Sequence, residues 1–325
     1  MISFINKLYL KKKILFIFII IILIFFIINK IAKVFLEETV MEKRTQPEFI
    51  EKVYGRDNVE DYQLVLSEQL SGLKYEPFVE FKESHRIGKF TSVSKIGNRC
   101  NKNNLIDCKP PTGGSSEIWI FGGSTVFGYG VKNNETISAY LEQLFNENYR
   151  VINFGTGYFN STQERILFNN LLSKFPPPKA VIFFNGLNEF VNNVGNDTSH
   201  FSQFINYKIN KSSKDDLLHY LRERIVRLNI VQLFVEKTKP QNELTKIKEP
   251  ENIEKTSNIY LNNQKIIKSI SENYDIDLLY FLQPVPIFPK SYSTSSVPKY
   301  FQRDIDYDPG IINVKNGYEN YLKKN

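Results

Sequence analysis

The sequence predicts an α/β fold: a three-layer α/β/α sandwich with a central parallel sheet, preceded by one transmembrane helix. Three observations predict it. A lysine-flanked apolar run stands at the N-terminus, short apolar runs alternate with amphipathic segments from residue 117 onward, and each of the first three runs leads into a glycine-containing turn. With 325 residues and 42% hydrophobic content, the chain is long enough for one sizeable folded domain plus an appendage.

The first element is the N-terminal apolar segment. Four lysines precede an unbroken run from Ile14 to Ile28, and the flank through Leu36 extends it past Lys30 and Lys33, whose long side chains can snorkel. A cleaved signal peptide is the alternative, but no small-x-small pair follows the run. We therefore expect an uncleaved anchor that lies in the inner or plasma membrane through residues 14–36. The preceding lysines place the N-terminus in the cytoplasm and the rest in the periplasm or outside the cell.

The net charge of +7 does not indicate nucleic-acid binding. Residues 1–36 carry six lysines and no acidic residue, which leaves 36 basic and 35 acidic residues in the rest of the chain. The basic character therefore belongs to the anchor, and we expect no nucleic-acid partner.

Two cysteines, Cys100 and Cys108, are separated by seven intervening residues in a polar stretch. Outside the cytoplasm such a pair can form a disulfide, and two free thiols are the alternative. The spacing fits no zinc site, because there is no second cysteine pair and histidine is scarce. We expect no metal and no organic cofactor.

Along the chain, residues 37–112 are polar and irregular, and we interpret them as a stalk followed by an N-terminal extension. Residues 113–325 form the α/β domain, with an Asn-, Lys- and Ser-rich insertion at about 192–250. The predicted strands cover 117–121, 149–154, 180–184 and 278–282. Predicted helices cover 136–145, a stretch that the prolines at 176–178 stop, and a segment ending near residue 273.

The first three strands end in loops that carry chemistry. Because ligand sites of open α/β sheets lie at the carboxyl ends of strands, these loops can meet at one site. In the first loop, Gly122 and Gly123 let the backbone turn sharply and present Ser124, an alcohol suited to nucleophilic catalysis. Alone, this turn is also compatible with phosphate binding or with a simple reversal.

Taken together, GGST, INFGTGYFNSTQE and FFNGLNEF resemble the ordered blocks of the SGNH (GDSL-type) esterase and acyltransferase family, specifically its membrane-anchored bacterial branch. The resemblance covers roughly residues 85–290. It implies a flavodoxin-like sandwich, with Gly123 and Ser124 as the nucleophile turn and Gly186 as the turn before Asn188. It further implies an oxyanion site made of the backbone amides of Gly155 and Gly157 and the side-chain amide of Asn188.

Two features depart from the family pattern. Tyr158 stands where the second block commonly has its glycine, although a backbone amide can still serve there. The family's final Asp-x-x-His is not found, and none of His85, His200 and His219 has an aspartate three residues before it. We expect either an incomplete chain that stops before the base or a member that has lost its acid–base pair.

The resemblance implies ester hydrolysis or acyl transfer on an acylated carbohydrate or lipid of the cell envelope. The residues do not distinguish between the two reactions. The alternative is a non-catalytic envelope protein that keeps the cleft for glycan binding or for assembly of a complex. The missing base favours this alternative, and the intact serine and oxyanion blocks disfavour it.

Overall fold

The computed structural model describes residues 2–35, 45–69, 72–102, 108–146, 148–192, 228–229, 231, 249–285 and 309–324. The chain divides into two compact units, one made of residues 1–43 and 207–242, the other of residues 44–206 and 243–325. Most of the predicted insertion lies outside the described residues, as do His200 and His219.

Helix α1, Ile2–Phe35, is a single unbroken helix. Its apolar part, Lys12–Ala32, is long and apolar enough to cross a membrane, a property that a signal sequence shares. The predicted N-terminal apolar helix is therefore present, and its side chains from 14 to 20 are exposed.

The second unit begins with helices and hairpins and continues as alternating strands and helices. In chain order the elements are α2 (Pro47–Tyr54), α3 (Val59–Gln69), β1 (Leu73–Glu76), β2 (Glu80–Glu83), β3 (Arg86–Ile87), β4 (Ser92–Val93), β5 (Gly114–Gly122), α4 (Ser124–Phe127), α5 (Ile137–Leu144), β6 (Arg150–Asn153), α6 (Ser161–Leu172), β7 (Pro178–Asn185), α7 (Leu187–Asn192), α8 (Pro250–Asn273), β8 (Asp277–Leu282) and α9 (Pro309–Lys324).

The central sheet has four parallel strands in the order β6-β5-β7-β8. Helix α6 and helix α8 cover one face, where Trp119, Phe121 and Phe183 are fully buried together with Phe168 and Ile267. Helix α5 covers the other face through partly buried side chains that pack on strands β5, β6 and β7. This arrangement confirms the predicted three-layer α/β/α fold with a parallel sheet.

Local sequence explains where two helices begin. The Thr136 side chain accepts the backbone N–H of Ala139 and caps α5. At α6, the Asn160 side chain accepts the N–H groups of Thr162 and Gln163. Each cap satisfies a backbone donor that the first helical turn leaves unpaired, so the local sequence fixes where both helices begin.

The segment that we interpreted as stalk and extension packs within the same compact unit as the sheet from residue 44 onward. The Glu68 carboxylate accepts the N–H groups of Lys89, Phe90 and Thr91. The Gln69 side chain accepts the N–H of Gly130 at 2.7 Å, in the turn that follows the nucleophile helix α4. The extension thus supports the loop next to the predicted site.

Candidate active site

The predicted nucleophile turn, Gly123 and Ser124, lies where β5 ends. Gly123 has extended backbone angles and caps α4, and Ser124 is the first residue of that four-residue helix. An added Cβ at Gly122 would lie 2.4 Å from the carbonyl oxygen of Phe184, so only glycine allows β5 and β7 to approach this closely. Ser124 is half-buried and Thr125 is exposed. The strand and the turn therefore present the serine at the carboxyl edge of the sheet.

The buried Arg99 guanidinium supports the carbonyl end of the same helix. It donates to the carbonyl oxygens of Phe127 and Gly128 at 3.3 Å each, to that of Val131 at 2.9 Å, and to the side-chain oxygen of Asn133 at 2.9 Å. Burial lowers the pKa of Arg99 to about 9. Arg99 lies within the range of the resemblance, which implies no role for it, and the structure shows what it binds.

Gly155, the first glycine of the second loop, allows close packing against α4. The N–H of Gly155 donates to the side-chain oxygen of Asn153 at 2.9 Å, and the Asn153 amide donates to the carbonyl of Val126. An added Cβ on Gly155 would lie 2.3 Å from the backbone nitrogen of Phe127. The predicted oxyanion donor at Gly155 is thus already engaged inside the protein, and this glycine instead allows close approach to α4.

Gly157 also has an acceptor for its amide. Its N–H lies 3.4 Å from a carboxylate oxygen of Glu83, a long hydrogen bond. The same oxygen accepts the phenol of Tyr129 at 2.6 Å, and Arg86 pairs with the other carboxylate oxygen at 3.3 Å. Sequence analysis gave Glu83 no role, because it lies 74 residues before its partner Gly157 and no local pattern marks it.

Tyr158 has the backbone conformation that usually favours glycine. Its φ is +67°, and its side chain is 66% exposed. Among the residues that the structure describes, none accepts the backbone N–H of Tyr158 or that of Ser124. Of the loop residues Gly155, Gly157 and Tyr158, the last is therefore the one whose backbone N–H has no acceptor within the described part of the chain.

The third loop brings Asn188 to the first two. Gly186 has φ +110° and turns the chain from β7 into α7. The Asn188 side-chain amide donates to the carbonyl of Phe159 at 2.8 Å, and an added Cβ on Gly123 would lie only 2.6 Å from the same nitrogen. Asn188 therefore lies between the nucleophile turn and the second loop, as the predicted site requires.

A fourth strand end also reaches this edge. The Gln283 side-chain amide, just after β8, donates to the hydroxyl of Thr125 at 2.9 Å, and its backbone N–H donates to the carbonyl of Asn185 at 2.7 Å. The residue after Ser124 is thus tied to the segment that follows β8, to which the sequence assigned no role.

Two fully buried carboxyls lie behind the site. Burial raises the pKa of Glu164 to about 8 and that of Glu189 to about 7. Glu164 accepts the side-chain amide of Asn185, whose oxygen accepts the phenol of Tyr260 at 2.6 Å. Glu189 accepts the backbone N–H of Ser161. Sequence analysis missed both, because glutamates in helices are commonly surface residues.

No acid–base pair for Ser124 occurs among the described residues. Of the three histidines, His85 alone is described; it is exposed, and its Nδ1 lies 2.7 Å from the carbonyl oxygen of Val93. The aspartates at 304, 306 and 308 lie outside the described residues. Within the described ranges, no group of three or more His, Cys, Asp or Glu side chains could hold a metal ion.

The structure joins Cys100 and Cys108 by a disulfide, with their Cα atoms 5.0 Å apart. This separation is within the usual range for disulfides. The bridge follows Arg99 directly, so it closes a short loop next to the residue that holds the end of the nucleophile helix.

Comparison with known proteins adds structural neighbours of low similarity. No family model matches the sequence, and no curated protein matches it. Among solved structures, the chain is similar to the SGNH-hydrolase family esterase AlinE4, with 20% identity and a TM-score of 0.25 over 58% of this chain and 86% of that one. It is also similar to a protein assigned to the lipolytic G-D-S-L family from Desulfitobacterium hafniense DCB-2, with 15% identity and a TM-score of 0.24 over 64% of this chain and 98% of that one. At these values the similarity concerns the fold alone, and the site must be argued from its own geometry.

Proposed function

We propose that this chain is a membrane-anchored serine esterase or O-acyltransferase of the SGNH type. The observation that carries the proposal is the position of the Asn188 amide, which lies between the Gly123-Ser124 turn and the loop at Phe159. One alcohol and converging N–H donors are what a tetrahedral acyl intermediate needs.

The reaction would proceed by two acyl transfers. The Ser124 hydroxyl attacks the acyl carbon of the ester, and its proton passes to a base while the substrate's alkoxide leaves. Water or a sugar hydroxyl then takes the acyl group from the serine. The oxyanion of each intermediate would be bound by the N–H groups of Ser124 and Tyr158 and by the side chain of Asn188, each donor contributing about 3 kcal/mol.

The substrate class follows from the proposed location. The lysines before the apolar run of α1 favour a cytoplasmic N-terminus and an outward-facing domain, which would bring the site to acylated carbohydrates or lipids of the envelope. A reporter fused after residue 40 should be active only outside the cytoplasm and should pellet with membranes. A soluble mature form starting near residue 33 would show cleavage instead.

Activity can be tested in the presence and absence of an external base. General-base help is worth roughly 100- to 10,000-fold, so we expect little turnover of a short-chain aryl ester by the full chain alone. Imidazole should restore turnover to the wild type and not to Ser124→Ala. Asn188→Ala should lower the restored rate by about 100-fold. Ser173→Ala, an exposed serine at the end of α6, is the matched control.

Two results would change this proposal. Strong Ser124-dependent turnover without imidazole would place the base within the chain, with His200 and His219 as the first candidates. No Ser124-dependent turnover even with imidazole would favour the second candidate, a non-catalytic protein that binds glycan in the same cleft. The absence of a suitable histidine among the described residues favours that candidate, and retained binding of an acylated oligosaccharide would then support it.

A further inference from the structure

Two adjacent residues of α7 bind the backbone on either side of Asn160. The Asn188 amide donates to the carbonyl of Phe159 at 2.8 Å, and the Glu189 carboxylate accepts the N–H of Ser161. The two side chains therefore hold one short segment from both ends, immediately after Tyr158. Tyr158, directly before this segment, and Asn188 of α7 supply two of the three donors in the proposed oxyanion site.

The environment of the Glu189 carboxyl disfavours its charged form. It is fully buried, and the charged or titratable groups that face it are Glu164 from α6, Tyr260 from α8 and Tyr318 from α9. Among the described residues, no lysine or arginine pairs with it. A buried carboxyl without a cation costs stability that an apolar side chain of similar size would not cost. The contribution of Glu189 to the protein therefore lies in the backbone group that it binds, the N–H of Ser161.

We propose that Glu189 is a positioning residue, which fixes Ser161 and thereby holds the 158–160 segment against Asn188 at the oxyanion site. We call the contacts of Asn188 and Glu189 with the backbone of residues 159–161 the clamp. An effect of the clamp on catalysis rests on the proposed function, whereas the clamp itself does not. Asn263 from α8 strengthens the arrangement by donating to the Ser161 hydroxyl at 2.8 Å, so Ser161 is held through both its backbone and its side chain.

The test compares Glu189 with Glu164. Both carboxyls are fully buried and their pKa values are raised, but Glu164 binds the side chain of Asn185 rather than the 158–161 backbone. Glu189→Gln keeps an oxygen acceptor for Ser161, and Glu189→Ala removes it. Glu164→Gln and Glu164→Ala are the matched controls, which account for the general loss of stability from an altered buried network.

The first measurement is hydrogen exchange of the amides at 158–161 in the full chain. Glu189→Ala should raise their exchange rate by about tenfold or more, because the segment loses one of its two anchors. Glu189→Gln should stay close to the wild type, and Glu164→Ala should leave these amides within about twofold. Equal effects of Glu189→Ala and Glu164→Ala, or none from Glu189→Ala, would overturn the clamp.

The second measurement is the rate at which a fluorophosphonate modifies Ser124 in the presence of imidazole. The serine oxygen bonds to phosphorus, fluoride leaves, and imidazole takes the proton, so the rate depends on the oxyanion donors. We expect Glu189→Ala to slow it by about 100-fold, with Glu189→Gln restoring it and Glu164→Ala close to the wild type. Equal rates in the two alanine variants would reject a positioning role. A wild type that is not modified at Ser124 would reject the proposed function, and hydrogen exchange would still decide the clamp.

Discussion

The buried carboxyls of Glu164 and Glu189 should make the stability of the protein depend on pH. Burial raises the pKa of Glu189 from 4.5 to about 7 and that of Glu164 from 4.5 to about 8. At pH values between the ordinary pKa of a glutamate and these raised values, the two carboxyls are deprotonated in the unfolded chain but still protonated in the folded protein. The free energy of unfolding should therefore fall as the pH rises from about 5 to 8, and both carboxyls should be neutral in the folded protein at pH 5.

The magnitude can be worked for Glu189 alone. A pKa raised from 4.5 to about 7 corresponds to about 3 kcal/mol of lost stability at pH 8. Glu189→Gln removes this titration and keeps an oxygen that can accept the N–H of Ser161. The variant should resemble the wild type at pH 5 and be about 3 kcal/mol more stable at pH 8, equivalent to a rise in Tm of roughly 10 °C for a domain of this size.

Urea unfolding of the full chain in detergent at pH 5, 6.5 and 8 measures this dependence. Glu142→Gln is a useful comparison, because burial also raises the pKa of Glu142 but the residue lies on α5, on the opposite face of the sheet. If Glu189→Gln destabilised the protein equally at pH 5 and pH 8, the carboxyl would be ionised in the folded state. The argument from burial would then be refuted.

Three further predictions follow from single contacts. The Tyr158→Gly variant should be about 1 kcal/mol more stable than Tyr158→Ala in urea unfolding, because a φ of +67° favours glycine. This is the reverse of the usual order, and a more stable Tyr158→Ala variant would contradict this backbone conformation. Arg99→Leu should lower the free energy of unfolding by about 2 kcal/mol or more, since the carbonyl of Phe127 loses its donor and those of Gly128 and Val131 keep only Gln69. A loss below about 1 kcal/mol would show that the Phe127 carbonyl finds another partner. Mass analysis of the exported protein without reductant should find Cys100 and Cys108 linked, and replacing both by serine should cost about 2–3 kcal/mol; free alkylation of both would reject the linkage.

The sheet and its helices could be predicted because their signals are local. Strand β5 is a continuous apolar run after Glu117, and α5 shows a helical apolar period directly after its cap at Thr136. The helix predicted to end near residue 273 ends at Asn273. In each case the pattern within one element decides which face is buried, so no knowledge of distant residues is needed.

The role of the N-terminal extension could not be predicted in the same way. Glu83 binds Gly157, and Gln69 binds Gly130, across separations of 74 and 61 residues. Segments that are short, polar and without clear period carry little information about such partners. Their buried polar side chains become interpretable only when the backbone groups that they satisfy are known.

The sequence predicts the side chains of the candidate site more readily than its backbone donors. The motif predicts Ser124 and Asn188 by residue type, because the chemistry of a side chain belongs to the residue itself. A backbone amide is different, because its direction depends on φ and ψ rather than on residue identity. The glycine at 155 matches the family pattern, but its N–H donates to Asn153.

The same reasoning explains why Tyr158 is the better candidate. With φ at +67°, its backbone adopts a conformation that glycine adopts without strain, and its N–H has no acceptor among the described residues. A bulky residue in this conformation stores about 1–2 kcal/mol, which the surrounding contacts must offset. The contacts that flank it are those of Asn188 with Phe159 and of Glu189 with Ser161, so the clamp and the strained backbone are two parts of one arrangement.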